Sequence, residues 1–315
     1  KIFLKDFNNI EKKNLSKLKK LFDNDFFLTL KDRILSPQYK MYNEKKSPRL
    51  PILSCISEAY EFLWTNRSDF VLMSALPVFI LALVHTAAFS VFPQQGPTPS
   101  INAVAVRETA AAFLYAMFGV AWHRRFLRET EQITFWEALR WDSRKTLFFI
   151  RFIAAAFCAT AAAFPIFVIL LTDQSKLTVL STIAGNIGIG LRPLIALLTI
   201  AAISIWMLIF TRLSLWLPAT AVDEKHTIVS VWSLGKSNGW SLVAITIGAM
   251  LPLVFLISFA LSLVVSIIVG LGIQSHLTGH FILGLALGFT KYLALAAEIT
   301  ALSIAYKKLS TPAAY

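Results

Sequence analysis

The sequence has little charge and very few of the residue patterns that bind metals or perform catalysis. Charged residues make up 15% of its 315 residues, against roughly 25% in a soluble domain. Its two cysteines, Cys55 and Cys158, provide neither a zinc spacing nor a disulfide framework. A nucleophile elbow, a catalytic carboxylate pair and an HExxH motif are all missing. These absences argue against a soluble fold, a metal or cofactor site and enzymatic chemistry.

Hydrophobic residues are abundant instead, at 56% of the chain. They are concentrated in blocks of about 20 residues or more, the length that crosses a hydrocarbon core of roughly 30 Å. Because an unpaired backbone amide in lipid costs several kcal/mol, each block should be a helix. The sequence therefore predicts an all-α integral membrane protein with six transmembrane helices. The blocks are 70–91, 104–122, 147–171, 191–216, 242–271 and 281–306.

Basic residues are distributed unevenly among the connections. The loop after the second block contains Arg124, Arg125 and Arg128, whereas the stretches 93–100 and 272–280 contain no Lys or Arg. The positive-inside rule then predicts a bacterial inner-membrane protein with both termini in the cytoplasm. The net charge of +12 fits anionic lipids of the cytoplasmic leaflet better than nucleic acid. A protein partner or a second copy of the chain is the alternative partner.

Residues 1–50 differ from the rest, with 13 Lys or Arg against 6 Asp or Glu. Two interpretations are open. This segment is a basic amphipathic or partly disordered arm at the membrane surface, or residues 1–40 are non-native sequence upstream of Met41. We assign the six-span domain to residues 51–315.

A short amphipathic segment precedes each odd-numbered block. The opening residues are Ile56, Ile133 and Ile228, and at the same distance after each comes a polar turn residue, namely Asn66, Ser143 and Asn238. This spacing predicts three repeats of a cytoplasmic interfacial helix plus a transmembrane hairpin, all in one orientation. A separate need for an anchor in every cytoplasmic loop would explain it equally well. The expected interfacial anchors are Trp64, Trp136, Trp141, Trp232 and Trp240.

Two charged residues lie inside the sixth block. Lys291 is near its middle, and Glu298 follows seven residues later on the same helical face. A charge at this depth costs about 2.5–3.5 kcal/mol on insertion scales, so such a residue is usually paired or functional. One interpretation is a structural ion pair of Glu298 with Arg151 or Arg212. The other is a polar pathway or ligand site.

Small residues recur at helical spacing in the last two blocks, at Ser258, Ser262, Ser266 and Gly270 and at Gly284 and Gly288. They predict close packing between the two helices of the last hairpin, with a dimer surface as the alternative. His276 and His280 have i, i+4 spacing but no nearby Cys or acidic residue. We interpret them as interfacial rather than metal-binding residues.

The sequence RLSLWLP at 212–218, followed by SVWSLGKSNGW at 230–240, forms a loose family pattern. It resembles bacterial multi-pass proteins related to the membrane domain of glycerophosphoryl diester phosphodiesterase. AYEFLWTNRSDF at 59–70 and AWHRRFL at 121–127 also fit, so the resemblance covers about residues 53–310. It implies a membrane domain without the catalytic barrel, and no catalytic residue can be transferred from it.

Two functions follow from these features. The leading hypothesis is a non-enzymatic inner-membrane protein that acts in envelope maintenance, lipid association or complex assembly through its cytoplasmic helices. The alternative is a small-solute or lipid transporter with a polar pathway near Lys291 and Glu298. A polar cavity that reaches Lys291 would favour the second.

Overall fold

A computed structural model describes residues 49–92, 100–128, 134–171, 178–188, 190–273 and 277–310. Within these ranges every regular element is a helix, and there is no strand. The N-terminal arm predicted for residues 1–50 lies almost entirely outside them, so both of its interpretations stay predictions. The helices in chain order are α1 (Ile52–Thr65), α2 (Arg67–Val91), α3 (Ile101–Leu127), α4 (Phe135–Leu139), α5 (Ser143–Leu171), α6 (Thr178–Ile187), α7 (Leu191–Ser214), α8 (Trp216–Ala221), α9 (Ile228–Leu234), α10 (Gly239–Gly270) and α11 (Leu277–Ser310).

Six of these helices are long and apolar enough to cross a membrane, which confirms the predicted fold class. They are α2, α3, α5, α7 with its continuation α8, α10 and α11. Pro218 explains why α7 and α8 are separate, because its ring would clash with the carbonyl of Ser214, where α7 ends.

The six spans form a closed ring of three hairpins. Consecutive spans pair as α2 with α3, α5 with α7 and α10 with α11. Neighbouring hairpins meet where α3 packs on α5, α7 on α10 and α11 on α2, while α3 also contacts α11 across the ring. That the three hairpins are repeats of one unit stays a prediction.

A short helix precedes each odd-numbered span, at one end of the ring. These helices are α1, α4 and α9, and together with α8 they form what we call the polar end. The predicted turn residues lie where expected, since Asn66 and Asn238 are the N-caps of α2 and α10 and Ser143 begins α5. That these short helices rest on a membrane surface stays a prediction.

Contacts between α3 and α11 anchor the core near the polar end. The fully buried indole of Trp122 donates to the carbonyl of Ala296 at 3.1 Å and to the hydroxyl of Thr300 at 2.9 Å. One turn away, Nδ1 of His123 lies 2.6 Å from Oγ of Ser303. Because these donors and acceptors meet inside an apolar cluster, they fix the register of the two helices.

Ion pairs hold the connections of the polar end together. Asp223, in the left-handed region at φ 64°, lies 3.2 Å from Arg124, 3.5 Å from Arg128 and 2.7 Å from Arg144. Partial burial acts to raise the pKa of Asp223, but the hydrogen bond and charge of Arg144 and the charge of Arg124 outweigh it. The pKa of this carboxyl therefore lies below its ordinary value. One carboxylate thus joins the α8–α9 connection to the ends of α3 and α5.

Candidate intramembrane site

Lys291 lies inside the span formed by α11, about 20 Å along the helix from Leu277. Its ammonium group is 2.6 Å from Oε2 of Glu108, which belongs to α3. The other carboxylate oxygen of Glu108 accepts two hydrogen bonds from the adjacent Arg107, at 2.7 and 3.0 Å. These three charges form a continuous chain between two helices, and the side chain of Lys291 is still 55% exposed.

Glu298 lies two turns further along α11 on the same face. Among the described residues it has no hydrogen-bond or ion-pair partner. The predicted structural pair with Arg151 or Arg212 is wrong, because both arginines are engaged elsewhere.

Arg151, in α5, donates to Oγ1 of Thr220 at 2.6 Å, and its guanidinium lies 4.5 Å from the ring centre of Trp216. Stacking on an indole and one hydroxyl acceptor replace the expected carboxylate. Arg151 therefore ties α5 to α8 instead of contributing to the site on α11.

Arg212, at the end of α7, has a similar structural role. It donates to the carbonyl of Lys236 at 3.0 Å and lies 5.0 Å from the ring centre of Trp232. A Cβ atom added at Gly239 would stand 2.6 Å from its terminal nitrogen, so a side chain at this position would displace the guanidinium. Arg212 fixes the connection between α9 and α10.

Two cavities meet at Lys291 and Glu298. The first, of about 470 Å³, lies between α2, α3, α10 and α11, and the second, of about 410 Å³, lies between α2, α3, α5, α7 and α11. Both volumes fall within the range of about 300–1,000 Å³ typical of small-molecule sites. The residues that line both cavities are Leu81, Ala111, Lys291, Leu295 and Glu298.

The cavities combine apolar walls with a few charged groups. Met250 and Val254 line the first cavity, and Phe152 and Phe210 line the second, so most of the surface suits a hydrocarbon or an aromatic group. Lys291 and Glu298 add a cationic and a carboxyl group about 10 Å apart along one helix. An amphipathic molecule matches this pattern.

Arg107 and Glu108 were not among the site residues predicted from the sequence, although both lie inside the predicted block 104–122. The available signal was the one used for Lys291, namely an ionisable residue within an apolar block. His85 of α2 also lines the first cavity.

The prediction that the small residues of the last two spans pack against each other is wrong. Gly284 and Gly288 pack against Ala82 and Val78 of α2 in the first hairpin, instead of against α10. Ser258, Ser262 and Ser266 are exposed on the outside of α10, and a Cβ atom at Gly270 would meet nothing within 4 Å. Glycine permits the close approach of α11 to α2 because the backbone of α2 occupies the space of a side chain.

The five proposed tryptophan anchors all lie at the polar end and are partly exposed. The exposed fraction is 72% for Trp64 and 76% for Trp136, the two least covered. Trp232 stacks with Arg212, and the indole of Trp141 donates to Thr146 at 2.9 Å. Contact of these rings with lipid stays a prediction, as it does for Trp240.

In the described part of the chain no three His, Cys, Asp or Glu residues are grouped to hold a metal. His276 lies outside the described residues, and the ring of His280 stacks on Phe89 at 5.8 Å. Cys55 and Cys158 are free thiols.

No family model matches this chain, and neither a curated protein nor a solved structure matches it. The resemblance to membrane domains of glycerophosphoryl diester phosphodiesterase therefore stays a prediction. What can be said of function rests on the geometry of the polar end and of the two cavities.

Proposed function

We propose that the protein is a transporter for a small amphipathic solute or a lipid, which binds where the two cavities meet. The observation that supports this proposal is the pair of apolar-walled cavities sharing Lys291 and Glu298 inside the membrane-spanning region. A charged group in a span is costly and usually marks a substrate pathway or an ion pair. Glu298 has no pairing role among the described residues, which favours the pathway.

The ligand would place its polar group against Lys291 and its apolar part along Leu81 and Leu295. The ammonium group of Lys291 has three donors and gives one to Glu108, so it has capacity for an acceptor on the ligand. The carboxyl group of Glu298 offers the complementary acceptor. The protein would transport the ligand by exposing the junction of the two cavities first to one side of the membrane and then to the other.

Replacing Lys291 by methionine tests the proposal. The variant should fold, because Glu108 keeps its hydrogen bonds to Arg107. Small molecules retained after extraction from native membranes should be identified by mass spectrometry for the wild type and the variant. The retained ligand should be lost from Lys291→Met and kept in the control Lys225→Met, which changes an exposed lysine outside the cavities. Equal retention by both variants would contradict the proposal.

A second candidate function is lipid association or complex assembly through the polar end. The high exposure of Trp64 and Trp136 supports it, because exposed indoles beside a span suit the membrane interface or a partner. Replacing Trp64, Trp136 and Trp232 together should reduce the recovery of bound lipid or of a protein partner while Lys291-dependent retention is kept. Unchanged behaviour of the triple variant would refute this function.

We further propose that the protein lies in a bacterial inner membrane with the polar end in the cytoplasm. The basic residues at the ends of α3 and α11, such as Arg124, Arg125 and Lys308, support this orientation. A reporter that is active only in the cytoplasm, fused after the last residue, should be active. An inactive reporter with an active periplasmic counterpart would reverse the orientation.

A further inference from the structure

A third cavity, of about 350 Å³, opens at the polar end between α3, α4 and the first turn of α5. It is separate from the two intramembrane cavities and shares no lining residue with them. Four of the residues that line it are basic, namely Arg124, Arg140, Arg144 and Lys145. Two are acidic, Glu137 and Asp142.

Both acidic groups are already committed to local backbone structure. Glu137 accepts from the backbone and side chain of Thr134 in a capping box, and these hydrogen bonds lower the pKa of its carboxyl group. One oxygen of Asp142 accepts from the backbone N–H of Lys145 at 2.9 Å, and the other lies 3.7 Å from the guanidinium of Arg144. Neither carboxylate therefore neutralises the cavity by a direct ion pair with Arg140.

The basic groups of the cavity differ in whether their charged atoms are already hydrogen-bonded. Lys145 is 2% exposed and donates to the carbonyls of Glu137, Ala138 and Arg140, so it contributes a fixed positive charge. The side chain of Arg140 is exposed, and its guanidinium has no hydrogen bond or ion pair among the described residues. It is thus the side chain that can turn toward a ligand.

The two remaining basic groups of the lining are tied to acidic side chains. Arg124 and Arg144 both pair with Asp223, and Arg144 also lies 3.7 Å from Asp142. The guanidinium of Arg140 differs from both, because it has no ion pair among the described residues.

The position of the cavity at the end of a membrane span indicates which kind of anion it binds. It lies beside the first turn of α5, which then crosses the membrane, and Trp141 forms part of its wall. An indole ring at a span end lies at headgroup level, and basic pockets between spans bind anionic lipid headgroups. We infer that this cavity binds the phosphate of an anionic phospholipid, with Arg140 as the adjustable ligand.

The test compares two charge-matched variants of the full chain. Arg140→Gln removes the available guanidinium, and Arg67→Gln removes an exposed arginine of the same end that stacks on Trp64 outside the cavity. Each protein is placed in nanodiscs of phosphatidylcholine with increasing phosphatidylglycerol, and bound phosphatidylglycerol is counted by native mass spectrometry. We expect about fivefold weaker retention for Arg140→Gln and wild-type retention for Arg67→Gln.

Inorganic phosphate in phosphatidylcholine nanodiscs distinguishes the two sources of the phosphate group. Thermal stabilisation by phosphate alone that is lost in Arg140→Gln, without phosphatidylglycerol retention, would overturn the lipid and indicate a soluble phosphate ligand. An equal effect of both variants would overturn the site itself, because the response would then be one of general surface charge. Arg140→Lys should restore most of the retention if charge at this position is what counts.

Discussion

The replacement of Gly284 by alanine tests where α11 makes its closest helix contact. An added Cβ atom would stand 2.9 Å from Cα of Ala82 and 3.2 Å from its carbonyl oxygen. Neither atom can move aside without movement of α2, since both belong to its backbone. The substitution therefore forces two spans of different hairpins apart.

The magnitude follows from two opposing effects. Extra volume in a packed contact costs about 1–3 kcal/mol, whereas Gly→Ala inside a helix gains up to about 1 kcal/mol. Gly270→Ala provides the control, because a Cβ atom there meets nothing within 4 Å. The difference between the variants approximates the packing cost. At about 2–4 °C per kcal/mol, Gly284→Ala should melt about 2–12 °C below Gly270→Ala.

Second-site changes separate backbone from side-chain clashes. A Cβ atom at Gly288 first meets Cγ1 of Val78 at 3.2 Å, so Val78→Ala should rescue Gly288→Ala. Ala82→Gly removes only the Cβ atom of that residue and should rescue Gly284→Ala incompletely. Melting in detergent can be followed by the fluorescence of the eight tryptophans. Coincident melting of Gly284→Ala and Gly270→Ala would refute a close α2–α11 contact.

Three further predictions concern the polar end and the core. Because the pKa of Asp223 is lower in the folded protein than in the unfolded chain, its carboxylate stabilises the fold fully above the unfolded pKa near 4. This stabilisation is lost as the pH falls through the folded pKa, so Asp223→Asn should flatten the acidic part of a profile of melting temperature against pH. Lys145→Met should destabilise α4 by about 2–3 kcal/mol, because three carbonyls lose a charged donor, and faster hydrogen exchange of Phe135–Leu139 would show it. Trp122→Phe should cost about 2 kcal/mol, measured as a lower melting temperature, because the indole volume and two buried hydrogen bonds disappear. Wild-type behaviour of any of these variants would contradict the corresponding contact.

The number and approximate position of the spans were predictable because lipid imposes a simple length rule. The first and last residues of each span were less predictable. Hydropathy placed the last span at 281–306, whereas α11 continues to Ser310. Its last turns are covered by protein, as the burial of Tyr306 and Leu309 shows, so they need no lipid to remain helical.

Pairing was harder to predict than position. A stripe of serines and glycines identifies a surface suited to close contact, but it does not identify the partner. Gly284 packs against Ala82, which lies about 200 residues away in sequence. This contact between the first and the last hairpin depends on the placement of all three hairpins. The predicted ion pair of Glu298 with Arg151 or Arg212 was wrong for a related reason. Both arginines stack on indole rings, and an uncharged partner of this kind cannot be identified from the pattern of charges in the sequence.

The two proposed sites lie far enough apart to be tested as independent units. Lys291 is about 28 Å along α11 from Ser310 at the polar end, and the cavity at Arg140 has no lining residue in common with the cavities at Lys291. Changes at such separated positions are expected to add. A Lys291→Met, Arg140→Gln double variant should therefore lose the intramembrane ligand and the anionic lipid each to the extent of the single variants. A change in phosphatidylglycerol retention caused by Lys291→Met alone would mean that the headgroup cavity and the intramembrane site are coupled through α3, which contributes residues to both.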